Sequence, residues 1–458
     1  MTINLQKNAI WAIVEVLASS LTLFFLYKIV VGSLGAESLG IWSLVLATTS
    51  LGRIADIGTS AGLGRFIAMA NANKQEEKLV DYAETGILTN LALNTLIALI
   101  IWGPAYYGLS LALPPESLAR GHQLLPFSLI SFVLSSVANA TTGSLVGQHR
   151  SDQKSMVIIA ALIVQFITAV SLVPRFGLPA LAWSQIFQYL LISSLGWILF
   201  LKNHYGVWTA RLPTHWSRSS LKSLLGFGVK LQAVSVVSML YEPLVKYVMS
   251  ALGGLEALGY FEMAQRLVLQ ARQLLVMPAQ PLVPSFTHLA ETAKEEIAPL
   301  YYKTTVILVS LGLPILLSIA LLSPLVSLFW IGRIEGLFVF FLSLLPFGWF
   351  FNLLAVPAYL MGIGTGRIRG NFWGTCLTTG GAFVFSYLLG LLMGPYGVAL
   401  GTNSMLAAGS LLTLFMNCRT ARIPPFPDRQ AFQSTWKEGW ALFKNYMSKK
   451  GDQECLTK

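Results

Sequence analysis

Long apolar runs separated by short polar connections organise this chain. They fall at roughly 9–31, 39–66, 83–108, 123–147, 155–173, 179–201, 223–250, 258–286, 304–329, 337–362, 372–393 and 398–418. Each is long enough for a membrane-spanning helix, which needs about 20 mostly apolar residues. The pattern predicts twelve spans. The first run is longer than the apolar region of a signal peptide and lacks a convincing cleavage site, so it reads as an uncleaved span.

Composition agrees. Apolar residues make up 55% of the 458 positions and charged residues only 11%, against about 25% charged in soluble domains. Mean hydropathy is +0.65. A soluble enzyme, a disordered chain and a disulfide-rich secreted domain are excluded. Cys376, Cys418 and Cys455 and the five histidines are scattered without ligand spacing, so no metal site and no cofactor is expected.

The net charge of +11 has to be sorted by membrane side before it means anything. One alternating set of connections, with the termini, holds 21 Lys and Arg residues; the other holds only Arg120, Arg175 and Arg333. Basic loops stay cytoplasmic. Both termini are then cytoplasmic and the number of spans is even. The charge faces anionic lipid, and nucleic acid is not an expected partner.

The chain also repeats itself. Leu34-Gly35-Ala36-Glu37-Ser38-Leu39-Gly40 returns as Leu252 to Gly259 with one insertion, putting Glu37 and Glu256, and Gly40 and Gly259, 219 residues apart. Gly143, Gly147 and Arg150 match Gly362, Gly366 and Arg369 at the same offset, and the segment Pro174–Gly177 resembles Gly394–Gly397. Each match sits at the same connection in both halves. Six spans per half is even, so the halves share one orientation. That is a parallel repeat about an axis along the membrane normal.

The repeated segments carry a family likeness. Leu34 to Arg65 (LGAESLGIWSLVLATTSLGRIADIGTSAGLGR) resembles the first helical hairpin of bacterial polysaccharide flippases, as does Leu224 to Leu289 with LLGFGVKLQ, LGYFEMAQRL and PLVPSFTHL. The chain resembles O-antigen (Wzx-type) flippases, within the superfamily that also holds multidrug-and-toxin extruders and the peptidoglycan-precursor flippase. The likeness runs to about Arg419. It implies an all-α integral membrane protein with two six-helix lobes around a central cavity. It also implies export of undecaprenyl-pyrophosphate-linked oligosaccharide to the outer leaflet. The expected division is 1–201 for the N-terminal lobe, 202–222 for a cytoplasmic inter-lobe loop, 223–418 for the C-terminal lobe and 419–458 for a cytoplasmic tail. Within that tail Phe432, Trp436, Trp440, Phe443 and Met447 recur at three and four residues among lysines, a pattern for an amphipathic helix on the inner leaflet.

Eleven charges fall inside spans, all in spans 1, 2, 7 and 8: Lys28, Arg53, Arg65, Lys230, Lys246, Arg266, Arg272, Glu15, Asp56, Glu242 and Glu262. Facing lipid at mid-bilayer, each would cost about 2.5–3.5 kcal/mol. Most are therefore expected to face a polar interior shared by both halves. Arg53, Arg272, Arg266, Lys230, Lys246 and Lys28 are candidates for holding an anionic substrate. Guanidinium forks bind phosphate oxygens bidentately at any relevant pH. Arg53 and Arg272 lie near mid-depth, 219 residues apart, and are expected to face each other. Against this, Lys28, Arg65 and Lys246 lie near span ends, where snorkelling is the plain alternative. Glu262 with Arg266, and Asp56 with Arg53, have the spacing of structural pairs. Tyr241, Tyr247, Tyr260 and Trp42 are candidates for stacking on sugars or for packing.

No GxxxxGK[ST] loop is present, so ATP coupling is not expected. Glu15, Asp56, Glu242 and Glu262 are candidates either for H+ or Na+ coupling or for charge balance. Membrane lipids and polysaccharide assembly proteins complete the expected partners. An extruder of cations would call for a net acidic interior. A glycan polymerase or glycosyltransferase would call for a large outer loop with paired carboxylates. Neither pattern occurs here, and a scaffold leaves the buried charges without a role.

Overall fold

The computed structural model describes residues 5–50, 52, 59–73, 75–209, 211–228, 232–280 and 282–426. Helix is the only regular secondary structure among the described residues, with no strand. Lobe one comprises α1 (Leu5–Leu34), α2 (Ala36–Ser50), α3 (Thr59–Ala72), α4 (Glu76–Ala112), α5 (Pro115–Gly147), α6 (Ser151–Phe176) and α7 (Leu178–Tyr205). α8 (Arg218–Gly228) follows and packs on α3 and α4 of lobe one. Lobe two comprises α9 (Gln232–Gly253), α10 (Leu255–Val276), α11 (Leu282–Thr292), α12 (Ile297–Leu321), α13 (Ser323–Ile331), α14 (Gly336–Gly364) and α15 (Arg369–Ala421).

Twelve spans are accounted for once breaks and fusions are recognised. Eight helices are long and apolar enough to cross a bilayer unaided. One of these, α15, runs 53 residues and covers two spans, divided at Gly394 by non-helical backbone. The other three spans each hold two described helices: α2 with α3, α8 with α9, and α10 with α11. The apolar run at 304–329 is not one helix. It ends at Leu321 and a short α13 follows. Pro324 suits that first turn, where its missing N–H is not needed, and does not suit a helix interior.

The burial pattern is that of a protein in lipid. Leu99, Ile100, Tyr107, Ile163, Leu321 and Leu392 are exposed on the outer surfaces, while Ser, Thr, Asn and Gln are buried between helices. Small residues let the backbones close up: a Cβ on Gly374 would overlap the Thr413 hydroxyl, and one on Gly370 the Asn417 amide. Asn417 bridges to the Ala358 carbonyl at 3.0 Å and to Asn371 at 2.6 Å, tying α14 to α15.

The repeat is visible in the backbone. Gly35 and Gly254 both take positive φ, 81° and 85°, just before α2 and α10. Those two helices then cross with their backbones touching. A Cβ on Gly40 would overlap the Leu255 carbonyl, and one on Gly259 the Ala36 carbonyl. Residues 36 and 255 are also 219 apart, so the contact is reciprocal, as a two-fold requires. Further along, the offset changes. His149 (φ 61°) corresponds to Gly366 (φ 73°), and Gly177 (φ 68°) to Gly394 (φ 58°), both 217 apart. Gly147 closes on the Gly64 carbonyl as Gly364 closes on that of Val283. The equivalence expected from sequence at this connection is therefore two residues out of register. Gly147 matches Gly364 rather than Gly366, and Arg150 matches Arg367 rather than Arg369.

The segment between α7 and α8 is strapped to lobe one by a buried carboxylate. Glu84 of α4 is 0% exposed. It accepts hydrogen bonds from the Arg211 guanidinium and from the backbone N–H of Thr214 (3.1 Å) and His215 (2.6 Å). The expected tail helix lies outside the described residues.

Candidate functional site

The lobes meet near the α1–α2 and α9–α10 connections, and the centre of that contact is charged. Lys246 of α9 is 1% exposed. Its Nζ lies 2.6 Å from Glu242 and 2.8 Å from Glu262. Arg266 of α10 reaches the same two carboxylates at 2.7 and 2.6 Å. These two cations and two anions cancel. From lobe one, Tyr27 and Ser43 each donate to Glu262 at 3.0 Å. Tyr27 is 219 residues before Lys246, and Ser43 is 219 before Glu262. Equivalent positions of the repeat thus converge, with hydroxyls from one lobe and an ion pair from the other.

Two cavities flank this cluster, with α9 and α10 as the wall between them. Glu242 and Gln270 face one; Tyr241 and Arg272 face the other. The lobe-two cavity, about 390 Å³, lies among α9, α10, α14 and α15. Among the described residues, Arg272 is the one charged residue lining it. Its Nε donates to Asn352 at 2.8 Å, and the guanidinium lies 5.3 Å from the Trp349 ring centre. Asn352 is held in turn by Ser410 at 3.1 Å. No carboxylate among the described residues pairs with Arg272. The remaining guanidinium N–H groups share the cavity with Tyr241, Tyr359 and several threonines.

The lobe-one cavity, about 370 Å³, is lined by α1, α2, α5, α6 and α7 with α9 and α10 at its edge. Among the described residues its polar groups are neutral hydroxyls and amides apart from Glu242 and Arg266, and Trp42 and Tyr27 are among its aromatics.

Other candidates sit elsewhere. Lys28 lies over the Phe329 ring at 4.3 Å, on the flank formed by α1 and α13. Glu15 pairs with Lys154 at 2.9 Å and accepts from Ser155 at 2.7 Å, joining α1 to α6. Arg65 is exposed. Tyr247 bonds to Thr48 at 2.8 Å, and Tyr260 donates to Glu256 at 3.1 Å. Arg53, Asp56 and Lys230 lie outside the described residues, so the expected Arg53–Arg272 juxtaposition does too. The snorkelling alternative does not apply to Lys246, because Glu242 and Glu262 hold its ammonium in the interior.

Attention to charge alone passes over the neutral lining. Its signal is a helical stripe: Ser128, Ser131 and Ser135 on α5, and Gln185 with Gln188 on α7.

Comparison with solved structures gives the fold a context. A multidrug resistance MATE family transporter of the MOP superfamily, in its inward-facing conformation, superposes with a TM-score of 0.72 at 17% identity, over 88% of this chain and 94% of that one. Such a transporter in the outward-facing conformation gives 0.63 at 16% identity, over 91% and 95%. The lipid II flippase MurJ, in an inward closed conformation, gives 0.62 at 15% identity, over 90% and 91%. No curated protein matches the chain in sequence. A family model for polysaccharide biosynthesis proteins matches residues 32–333, from the end of α1 through α13, and the chain belongs to that family.

Proposed function

We propose that this protein is a flippase, not an enzyme. It moves undecaprenyl-pyrophosphate-linked oligosaccharide from the inner to the outer leaflet of the bacterial cell membrane by alternating access between its lobes. The observation that carries the reading is Arg272. It is a buried guanidinium in a membrane cavity, with an amide and an aromatic face for neighbours and no carboxylate among the described residues. A charge held there without a counter-ion is expensive, and an anion that arrives from outside supplies the counter-ion. Pyrophosphate matches the fork geometrically as well as in charge.

The cluster around Lys246 supports the same choice over a cation extruder. Its two carboxylates already balance two cations, leaving no unmatched negative charge for a cationic drug. Glu242 is the carboxylate of that cluster that lines a cavity, and its pairing with Lys246 and Arg266 there favours charge balance over H+ or Na+ coupling. The distribution of basic loops supports cytoplasmic termini. Contact between the lobes near the α1–α2 connection, with termini at the other end, then describes an inward-facing state. The higher TM-score against the inward-facing transporter is in keeping with that. The division proposed is 1–201, 202–222, 223–418 and 419–458; the break between α7, which runs to Tyr205, and α8, which starts at Arg218, lies inside its second segment and supports it.

The test is complementation of a flippase-deficient strain, read alongside the amount of protein in the membrane. Arg272→Ala should lower export at least tenfold at normal protein level. Arg272→Lys should restore part of it, because the charge returns without the planar fork. Wild-type export by Arg272→Ala would overturn the anion site.

A further inference from the structure

Lys28 stands apart from both cavities. It lies one and a half helical turns before the end of α1 at Leu34, about 9 Å along the axis from the α1–α2 connection. Its ammonium sits 4.3 Å over the Phe329 ring. There it borders a groove of about 640 Å³ between α1 and α13, walled otherwise by Gly32, Leu325, Leu328 and Phe329 and by the end of α13. Among the described residues Lys28 is the one charged residue of the groove, and no carboxylate pairs with it. Leu325, Leu328 and Phe329 are exposed. The α13 wall is fixed in place. Trp330 turns inward, donates from Nε1 to the Phe24 carbonyl at 2.8 Å and stacks on the Phe24 ring at 4.5 Å. The Ser327 hydroxyl donates to the Arg333 carbonyl at 2.9 Å and accepts from the Glu335 N–H at 2.8 Å, which holds the turn after α13. The groove is therefore preformed, with one helix from each lobe.

The chemistry of the walls says what fits. An aromatic face attracts an ammonium but does not neutralise it, so the groove still calls for an anion. Its other walls are leucine and phenylalanine, so the anion must carry a long apolar body. Plain snorkelling would extend Lys28 away from those walls toward the nearest headgroups, whereas here the ammonium stays over Phe329. Two molecules have this chemistry: a membrane phospholipid and the lipid-linked substrate. The groove exists only while α1 and α13 touch. With cytoplasmic termini, the α1–α2 and α13–α14 connections are on the outer side, so this is the state closed on that side. A substrate leaving for the outer leaflet needs the lobes parted there. A lipid already resident in that leaflet does not.

We propose that the groove between α1 and α13 binds one anionic phospholipid of the outer leaflet, with its phosphodiester on Lys28 and an acyl chain along Leu325, Leu328 and Phe329. The choice of leaflet rests on the topology given above, and the site does not depend on what the protein transports. Because each wall belongs to a different lobe, the lipid binds the state in which the lobes touch here and favours that state by mass action.

The experiment titrates delipidated full-length protein in detergent with dioleoyl phosphatidylglycerol or dioleoyl phosphatidylcholine and counts bound lipids by native mass spectrometry. The first phosphatidylglycerol should bind about tenfold tighter than the first phosphatidylcholine, as one charge-assisted hydrogen bond would give. Lys28→Met should abolish that preference. Leu325→Trp, which keeps the charge and fills the groove, should weaken phosphatidylglycerol binding about tenfold. Melting temperatures equal to wild type are the check that both variants are folded. Arg272→Ala should keep the preference, which separates this site from the lobe-two cavity. No preference in the wild type, or one that survives Lys28→Met, overturns the site. Loss in Lys28→Met with full binding in Leu325→Trp makes Lys28 a snorkelling residue and overturns the groove. Displacement of phosphatidylglycerol by equimolar farnesyl pyrophosphate gives the groove to the substrate and overturns the phospholipid. Spin labels at Leu111 and Leu392, both exposed and one on each lobe, read the second half of the proposal. Their short-distance population should grow when nanodiscs of phosphatidylcholine receive phosphatidylglycerol, and Lys28→Met should remove the effect. A lipid preference without that growth upholds the site and overturns its hold on the lobes.

Discussion

Alanine at Gly40 should push the lobes apart where they now touch. The added Cβ would overlap the Leu255 carbonyl oxygen, stand 2.9 Å from its carbon and 3.3 Å from the Gly259 nitrogen. All three are helix backbone atoms, so no side chain can swing aside to make room. Overpacking of this kind costs about 1–3 kcal/mol. The strain exists only while α2 and α10 are in contact, so a state with the lobes separated there escapes it. The equilibrium should shift toward that state by roughly 5- to 150-fold. Gly259→Ala should do the same, because it meets the Ala36 carbonyl by the reciprocal geometry. Gly380→Ala is the control, since nothing lies within 4 Å of a Cβ there. Spin labels at Glu116 and Arg333, both exposed and one on each lobe, would report the separation by pulsed electron resonance. A longer-distance population should grow in the two crossing-point variants and not in the control. An unchanged distribution in a folded Gly40→Ala protein would refute the claim that the crossing holds the lobes together.

Glu262→Gln should lower thermal stability markedly, since removing one partner from a buried charge cluster costs about 3–5 kcal/mol. Adding Lys246→Met should recover part of the loss by removing the stranded ammonium, and melting curves of the single and double variants that match wild type would show that the cluster stabilises nothing. For orientation, a cysteine at Ser219 should resist a membrane-impermeant label in intact cells, and one at Glu116 should react, in a background without Cys376, Cys418 and Cys455. The reverse pattern would invert the topology and with it the inward-facing assignment.

What the sequence made legible follows from what repeats in it. Apolar runs of span length and a charge asymmetry between loops specified the helices, because each is a local property. The glycine matches at 35, 40, 254 and 259 were legible because positive φ and backbone contact both demand glycine. The second half of the repeat was read two residues out of register. There the left-handed position of lobe one is His149, so no glycine marks it. Charges were found, and the Glu262–Arg266 pair from its spacing, but not the relations between helices. Nothing local says that Lys246 meets Glu262 across two helices, or that Arg272 meets Asn352 and Trp349. The neutral cavity escaped notice because serine and glutamine within an apolar span carry little weight beside arginine, although Ser128, Ser131 and Ser135 lie on one helical face.

The pseudo-two-fold also explains why the charge cluster is one-sided. Strict symmetry would place a lysine at 27 and a glutamate at 43 opposite Lys246 and Glu262, with ion pairs running between the lobes. Separating oppositely charged groups in a low-dielectric interior is far more costly than breaking neutral bonds. In this protein Lys246, Glu242, Glu262 and Arg266 all belong to α9 and α10, so the ion pairs travel together with lobe two. What parts between the lobes at this point is the pair of hydroxyl bonds from Tyr27 and Ser43 to Glu262. Hydrogen bonds to a charged group contribute about 1.5–3 kcal/mol each, so losing both costs about 3–6 kcal/mol. A sum of that size can be offset by the differential affinity of a substrate for the two states. The glycines at the crossing keep their symmetry because packing needs it. The residues around Glu262 have lost theirs because a lobe contact that must open cannot be built from ion pairs.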